Sequence, residues 1–93
     1  SLTLVDENLK SKPKKSLGQN FLINDEAILK IHSWAKRQSI PTVFEIGPGL
    51  GALTDGLRKE YKDLTLIELD RNFSAFWRDE KMHVLEEDAM KAD

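Results

Sequence analysis

A glycine-rich segment in the middle of the chain most constrains the fold, because it joins a strand-like run to a helix-like run. The segment FEIGPGLGALT, residues 44–54, places Gly47, Gly49 and Gly51 at alternate positions. Residues 42–46 before it are β-rich, which predicts a buried strand. Glycines this closely spaced are costly to order, so the backbone here is expected to turn sharply or to approach another group closely.

The rest of the chain alternates between helical and strand-like patterns. The first 18 residues lack a regular pattern, and Asn24 then provides an N-cap for a helix over residues 24–38. A second helix runs to about Glu60, with an apolar face at Leu50, Leu53 and Leu57. Strands are predicted over 64–69 and 83–87. Between them lies a short helix after Asp70, with Phe73, Phe76 and Trp77 on one face. A helix followed by β-α-β-α-β predicts an α/β fold with a parallel sheet and right-handed crossovers.

Composition restricts the class of protein. Ninety-three residues allow at most one small domain. Without cysteine, neither disulfides nor thiolate metal sites are available, which suits a cytoplasmic protein. No apolar run approaches the roughly 20 residues of a membrane span, and His32 and His83 are isolated. We therefore expect neither a membrane nor a metal as a partner.

Positive charge is concentrated near the start of the chain. Residues 1–20 carry four lysines against two acids, whereas residues 21–93 carry ten basic and fourteen acidic side chains. The four lysines are Lys10, Lys12, Lys14 and Lys15. They fit either a solvated tail or an arm that neutralises phosphates on a nucleic acid. We divide the chain into a basic flexible arm, 1–20, and a folded part, 21–93.

The glycine segment lies where parallel α/β sheets bind ligands, at the carboxyl end of a strand. Gly47 is expected to allow a sharp turn, Gly49 to let a ligand approach the backbone, and Gly51 to let the helix start close to the strand. The spacing Gly47-x-Gly49-x-x-Ala52 also fits a dinucleotide fingerprint. The glycines alone therefore do not decide between NAD and S-adenosylmethionine (SAM).

Acidic residues at the strand ends favour SAM. Glu68 and Asp70 follow the glycines by about 20 residues, where one carboxylate can accept hydrogen bonds from both ribose hydroxyls. Glu45 can help to hold a cationic methionine end, and Asp88 can accept from an adenine amino group. The pyrophosphate of a dinucleotide prefers hydrogen-bond donors and a positive field, so three acids, one at each strand end, suit it less well.

Four segments together resemble a known family. KKSLGQNFLIND, EIGPGLGALT, LIELDRNF and EEDAM follow the order and spacing found in the bacterial small-subunit ribosomal RNA adenine dimethyltransferases, which use SAM to methylate adenine N6. The resemblance covers about residues 12–92. It implies a Rossmann-like SAM-dependent methyltransferase fold, of which this chain holds the first half, and action on 16S ribosomal RNA of the small ribosomal subunit.

The resemblance also implies roles for individual residues. Asn20 and Leu22 would line the SAM pocket, and Gly47 would lie under the methionine end. Glu68 would hold the ribose and Asp88 the adenine. The four lysines would belong to a flexible arm near the RNA.

One family motif has no match in the chain. The family carries Asn-Leu-Pro-Tyr after its fourth strand, and this motif supplies the groups that orient the RNA adenine to be methylated. We therefore assign no catalytic residue within residues 1–93 and expect the chain to be inactive alone. Two alternatives stay open: a non-catalytic SAM- or RNA-binding module, and a fragment of a nicotinamide-dependent oxidoreductase, which Glu45 and Asp88 disfavour.

The family's sheet order has a further consequence. The strand over 64–69 would lie between the other two, and strand 42–46 would meet a fourth strand that the chain lacks. Val43, Phe44 and Ile46 would then sit on a bare apolar edge. We therefore expect residues 1–93 alone to be marginally stable and either to self-associate or to need the rest of the enzyme to stay soluble.

The basic arm yields a first prediction. Replacing Lys10, Lys12, Lys14 and Lys15 with alanine should weaken RNA binding and flatten its dependence on salt, by up to about 0.7–0.9 log units per lost phosphate contact. Binding measured over a series of salt concentrations tests this, with SAM affinity as the quantity that should not change. An unaltered slope would identify the arm as a solvated tail.

Overall fold

A computed structural model of the chain describes residues 2–5, 24–38 and 43–90. The elements in these ranges are β1 (Leu2–Val5), α1 (Asp25–Gln38), β2 (Val43–Ile46), α2 (Thr54–Glu60), β3 (Leu64–Ile67), α3 (Arg71–Asp79) and β4 (His83–Leu85). None of the helices in these ranges has the length and apolar character needed to cross a membrane.

The strands form one sheet in the order β1-β2-β3-β4. β2, β3 and β4 are parallel, with Val43 opposite Leu64 and Thr65 opposite His83. The α/β fold class, the parallel sheet and the position of the second predicted strand between the other two are confirmed. The carboxyl ends of these three strands consequently share one edge of the sheet.

Helices cover both faces of the sheet, so the domain has three layers. Every residue of β2 and β3 is buried, as expected for parallel strands packed on both sides. The cluster on the α1 face contains Ala27, Ile31, Ala35, Phe44, Ile46, Ile67 and Ala89. The cluster on the face of α2 and α3 contains Val43, Leu64, Leu66 and Trp77, with Leu57 and Phe73 against it.

The start of α1 is capped and fastened to the loop after β4. Asn24 Oδ1 accepts hydrogen bonds from the backbone N–H of Glu26 at 2.8 Å and of Ala27 at 3.4 Å, which confirms the predicted N-cap. The Asn24 backbone N–H donates to the carbonyl of Ala89 at 2.9 Å. These bonds bring the start of α1 to the sheet edge where the parallel strands end.

The second predicted helix starts later than the leucine pattern indicates. Residues 49–53 form a turn, and α2 begins only at Thr54. Gly49 and Gly51 have φ angles of 53° and 90°, which are incompatible with a right-handed helix. Leu50 lies between them and is 90% exposed. The predicted apolar face at Leu50 is therefore wrong, whereas Leu57 does pack against the core.

β1 overturns the predicted bare edge of β2. Leu2–Val5 pair antiparallel with β2, with Leu2 opposite Ile46 and Val5 opposite Val43. The irregular pattern predicted for the start of the chain is thus wrong for these four residues. The domain division at residue 20 stays a prediction. Self-association also stays a prediction, but a bare β2 edge is no longer its reason, because β1 covers that edge.

The end of α3 places a lysine in a backbone conformation that favours glycine. The Met82 N–H donates to Trp77 O and the Lys81 N–H to Arg78 O, both at 2.9 Å. This pair of bonds is the Schellman arrangement, in which the residue after the C-cap is left-handed and usually glycine. Lys81 occupies that position with φ 67° and is exposed.

A second prediction follows from this strained lysine. Lys81→Gly should raise the free energy of unfolding by about 0.5–1 kcal/mol, because the relief of left-handed strain exceeds the entropy that glycine adds to the unfolded chain. Urea denaturation measures the change. Lys81→Ala removes the same charge but keeps the strain, so it should not stabilise. Equal effects of the two substitutions would contradict the explanation.

Candidate functional site

The glycine loop, residues 47–51, is built so that its backbone can be approached. Gly47, Gly49 and Gly51 have φ angles of 70°, 53° and 90°. A Cβ atom added to Gly47 or Gly49 would meet nothing within 4 Å, so open space lies beside both. The Gly47 N–H donates to Ile67 O at 2.8 Å, which ties the loop to the end of β3. The sharp turn expected at Gly47 and the accessible backbone expected at Gly49 are both present.

Glu68 lies against this loop at the end of β3. Its Oε1 accepts from the Gly49 N–H at 3.0 Å, and its Oε2 accepts from the Asp70 N–H at 2.9 Å. The side chain is only 7% exposed. Each carboxylate oxygen has more than one lone pair, so further donors can still be accepted. Glu68 is therefore both part of the loop's support and an acceptor at the edge of the sheet.

Asp70, the other acid at this strand end, has a different place. It is exposed, and its Oδ1 accepts from the Phe73 N–H at 2.9 Å as the N-cap of α3. The strand pattern left open which of the two acids faces the ligand, and the family resemblance implied Glu68. The structure places Glu68, and not Asp70, against the glycine loop.

Glu45 lies inside the domain on the face covered by α2 and α3. Its Oε1 accepts from the Thr54 hydroxyl at 2.6 Å, and both side chains are fully buried. Within the described part of the chain, Glu45 Oε2 has no hydrogen-bond partner. A buried carboxylate oxygen without a partner is costly, so this side chain has an unused capacity to accept a hydrogen bond or to face a cation.

Asp88 lies in the loop after β4. It is exposed, and its Oδ1 accepts from the Met90 N–H at 3.0 Å. Ala89 beside it is buried in the α1-face cluster and accepts from the Asn24 N–H. This loop is consequently held in position, with the Asp88 carboxylate on its outer side.

Sequence reasoning missed two side chains that shape the site. Thr54 was not singled out, because the predicted helix already included Leu50 and Leu53, and only the structure places Thr54 at the start of α2. Trp77 was assigned only to an apolar helix face, yet its Nε1 donates to Gly49 O at 3.0 Å. Trp77 also occupies the space beside Gly51, where we expected a close approach of helix to strand. α2 begins three residues later, at Thr54, where the Thr54 hydroxyl bonds to Glu45 of β2 and so brings the start of the helix close to the strand.

Other predicted site residues fall outside the described ranges. These are Asn20, Leu22, Lys10, Lys12, Lys14 and Lys15. Across residues 2–5, 24–38 and 43–90, no group of three or more His, Cys, Asp or Glu side chains is arranged to hold a metal ion.

The sequence profile of one family matches nearly the whole chain. The family is described as ribosomal RNA adenine dimethylase, and residues 10–93 are matched. The match therefore includes the glycine loop, Glu68 and Asp88.

Curated relatives share this similarity over part of their length. Ribosomal RNA small subunit methyltransferase A of Bdellovibrio bacteriovorus is 46% identical over 80 residues, which cover 86% of this chain and 29% of that protein. The protein of the same name from Syntrophotalea carbinolica is 47% identical over 85 residues, covering 88% of this chain and 32% of that protein. The chain thus spans about a third of the length of these relatives. No solved structure gives a significant match.

A third prediction tests the buried acid. Thr54→Val keeps the side-chain shape but removes the hydroxyl that donates to Glu45, so the free energy of unfolding should fall by about 1–3 kcal/mol. Thr54→Ser retains the hydroxyl and is the matched control, with a smaller loss. Chemical denaturation of both variants gives the comparison. A Thr54→Val chain as stable as the Thr54→Ser chain would contradict the role of this hydrogen bond.

Proposed function

The chain belongs to the ribosomal RNA adenine dimethylase family, and on that premise we propose that it supplies the SAM-binding part of an enzyme that dimethylates adenine N6 in 16S ribosomal RNA of the small subunit. One observation carries the proposal. A nearly buried carboxylate, Glu68, lies against the approachable backbone of Gly49, at the edge where the parallel strands end.

The chemistry of the polar groups supports SAM over a dinucleotide. Glu68 offers carboxylate oxygens at the edge of the sheet, and Glu45 is a fully buried acid, one oxygen of which has no partner within the described residues. Such acceptors suit hydroxyl groups, an ammonium and a sulfonium. A pyrophosphate would instead need free backbone donors, but the Gly49 N–H donates to Glu68 and the Gly51 N–H to Pro48 O. The residues present therefore fit SAM.

We assign the binding roles from this arrangement and from the family. Glu68 accepts from the ribose hydroxyls with its remaining lone pairs, and the open side of Gly47 and Gly49 takes the methionine end. Asp88 accepts from the adenine amino group. Glu45 acts through its charge and not by contact, because it is buried and bonded to Thr54 at the start of α2, and a carboxylate there favours a cationic methionine end. Asn20 and Leu22 complete the pocket.

The contribution of these residues to the reaction is positioning. When bound, SAM supplies a methyl group activated by a sulfonium. In-line transfer requires the acceptor nitrogen and this methyl group to be held close together and aligned. A rigid binding site contributes by fixing the position of SAM. Within residues 1–93 we assign no group that orients the target adenine of the RNA. The chain therefore provides the cofactor half of the site and is inactive alone.

Ribosomal RNA is the proposed macromolecular partner. The support is the family membership and the four lysines between residues 10 and 15, which can neutralise phosphates.

Calorimetry with S-adenosylhomocysteine and NAD tests the proposed cofactor. The chain should bind S-adenosylhomocysteine and not NAD. Glu68→Ala should weaken that binding by about 1–3 kcal/mol, because charge-assisted hydrogen bonds are lost. Asp70→Ser is the matched control: it alters the neighbouring acid but keeps an N-cap for α3, so affinity should be unchanged.

Two outcomes would count against the proposal. Tight NAD binding without S-adenosylhomocysteine binding would reject SAM as the ligand. Equal losses of affinity in Glu68→Ala and Asp70→Ser would show that Glu68 has no special role.

A further inference from the structure

One edge of the Trp77 indole runs along the glycine loop. Its Nε1 donates to Gly49 O at 3.0 Å. On the same edge, a Cβ atom at Gly51 would lie only 2.6 Å from Cη2 and would also overlap Cζ2. The ring therefore contacts the loop at two glycines, once through a hydrogen bond and once through close packing.

Gly49 is consequently held from two sides. Its N–H donates to Glu68 at the end of β3, and its carbonyl accepts from Trp77 on α3. A residue with both backbone groups bonded cannot change its φ and ψ angles without breaking one of these bonds. Glycine is otherwise the most freely rotating residue, so these two bonds select one loop conformation among many.

The indole itself has little freedom to move. Trp77 is 2% exposed, and its ring packs with Leu64 and Leu66 in the α2–α3 face cluster. The Arg58 guanidinium carbon lies 5.8 Å from the ring centroid, a cation–π arrangement on the remaining face. The loop is thus bonded to a rigid group of the core.

α3 is aligned to the same strand end that carries Glu68. The buried Ser74 hydroxyl donates to Glu68 O at 3.0 Å, and Asp70 caps the helix two residues after Glu68. The two groups that hold Gly49 therefore belong to one connected unit. A shift of α3 would therefore move Trp77 and Glu68 together.

We propose that Trp77 is a positioning residue for the cofactor site: it holds the Gly49–Gly51 loop in the open conformation that presents the site to the ligand. This inference rests on the proposed function, since it assigns the loop to SAM binding. Trp77 contacts the loop rather than the ligand. The loss of Trp77 should let the loop sample other conformations, which weakens binding without removing any group that contacts the ligand.

The test compares Trp77→Phe with Trp34→Phe. Trp77→Phe removes the N–H donor and retains an apolar ring, whereas Trp34→Phe changes the other tryptophan, which lies on the α1 face of the sheet. We expect Trp77→Phe to weaken S-adenosylhomocysteine binding about three- to tenfold, the loss typical of one hydrogen bond. Amide exchange at residues 49–51 should become faster, while exchange in β3 stays slow. Trp34→Phe should leave both the affinity and the loop exchange unchanged.

The outcomes separate this inference from the proposed function. If the unmodified chain binds S-adenosylhomocysteine and Trp77→Phe binds it equally well, Trp77 is not a positioning residue and the proposed function stands. If the unmodified chain does not bind it, the proposed function fails and the role of Trp77 in binding fails with it. Faster exchange throughout β3 as well as the loop would show a merely structural role and overturn the proposal.

A second variant covers the case in which Trp77→Phe does not fold. In a Trp34→Phe background, 3-benzothienylalanine at position 77 replaces the N–H by sulfur and keeps the size of the ring. The same three- to tenfold loss of affinity is expected from this substitution. Unchanged affinity would overturn the proposal, because the hydrogen bond to Gly49 would then have no effect on binding.

Discussion

The hydrogen bond from the Gly49 N–H to the Glu68 carboxylate is the contact on which the rest of the site depends. It joins the loop after β2 to the end of β3 at 3.0 Å, across 19 positions of sequence. The parallel pairing of β2 with β3 brings these residues to one edge. Gly49 adopts a positive φ angle at this contact, which sets the direction in which the chain continues into the loop. Without this contact Gly49 would keep only its bond to Trp77, and the loop would lose its direct link to the Glu68 carboxylate.

The same acids serve the fold and the proposed ligand. Glu68 supports two backbone amides, and Glu45 accepts from the buried Thr54 hydroxyl. Carboxylates in these positions are costly to bury unless they are bonded. A cationic ligand above the loop would offset that cost further, which gives a physical reason for acids beside a glycine-rich turn. Hydrogen-bond donors within the chain therefore satisfy these carboxylates only in part.

The outer strand of the sheet shows how a local pattern can mislead. β2 is apolar enough to need a neighbour on each side, and the residues that supply one are Leu2–Val5. The run LTLV at residues 2–5 is apolar and contains Thr and Val, as the run at 42–46 does, but the lysines and Pro13 that follow it led to the prediction of an irregular arm. Pairing with β2 decides their conformation, through backbone hydrogen bonds that depend on distance in space and not in sequence.

The sequence by itself determined the class of fold, the parallel sheet, the N-cap at Asn24 and the sharp turn at Gly47. These features depend on local patterns: alternation of elements, capping residues and glycine spacing. Only the tertiary structure showed how the two acids after β3 are placed: Glu68 bonds to the loop and Asp70 caps α3, although the strand pattern does not separate them. It also decided that α2 begins at Thr54 and that Trp77 packs on Gly51. The Trp77 contact joins α3 to a loop more than 20 residues away, and the positive φ angles of Gly49 and Gly51 delay the start of α2; the pattern of apolar residues encodes neither.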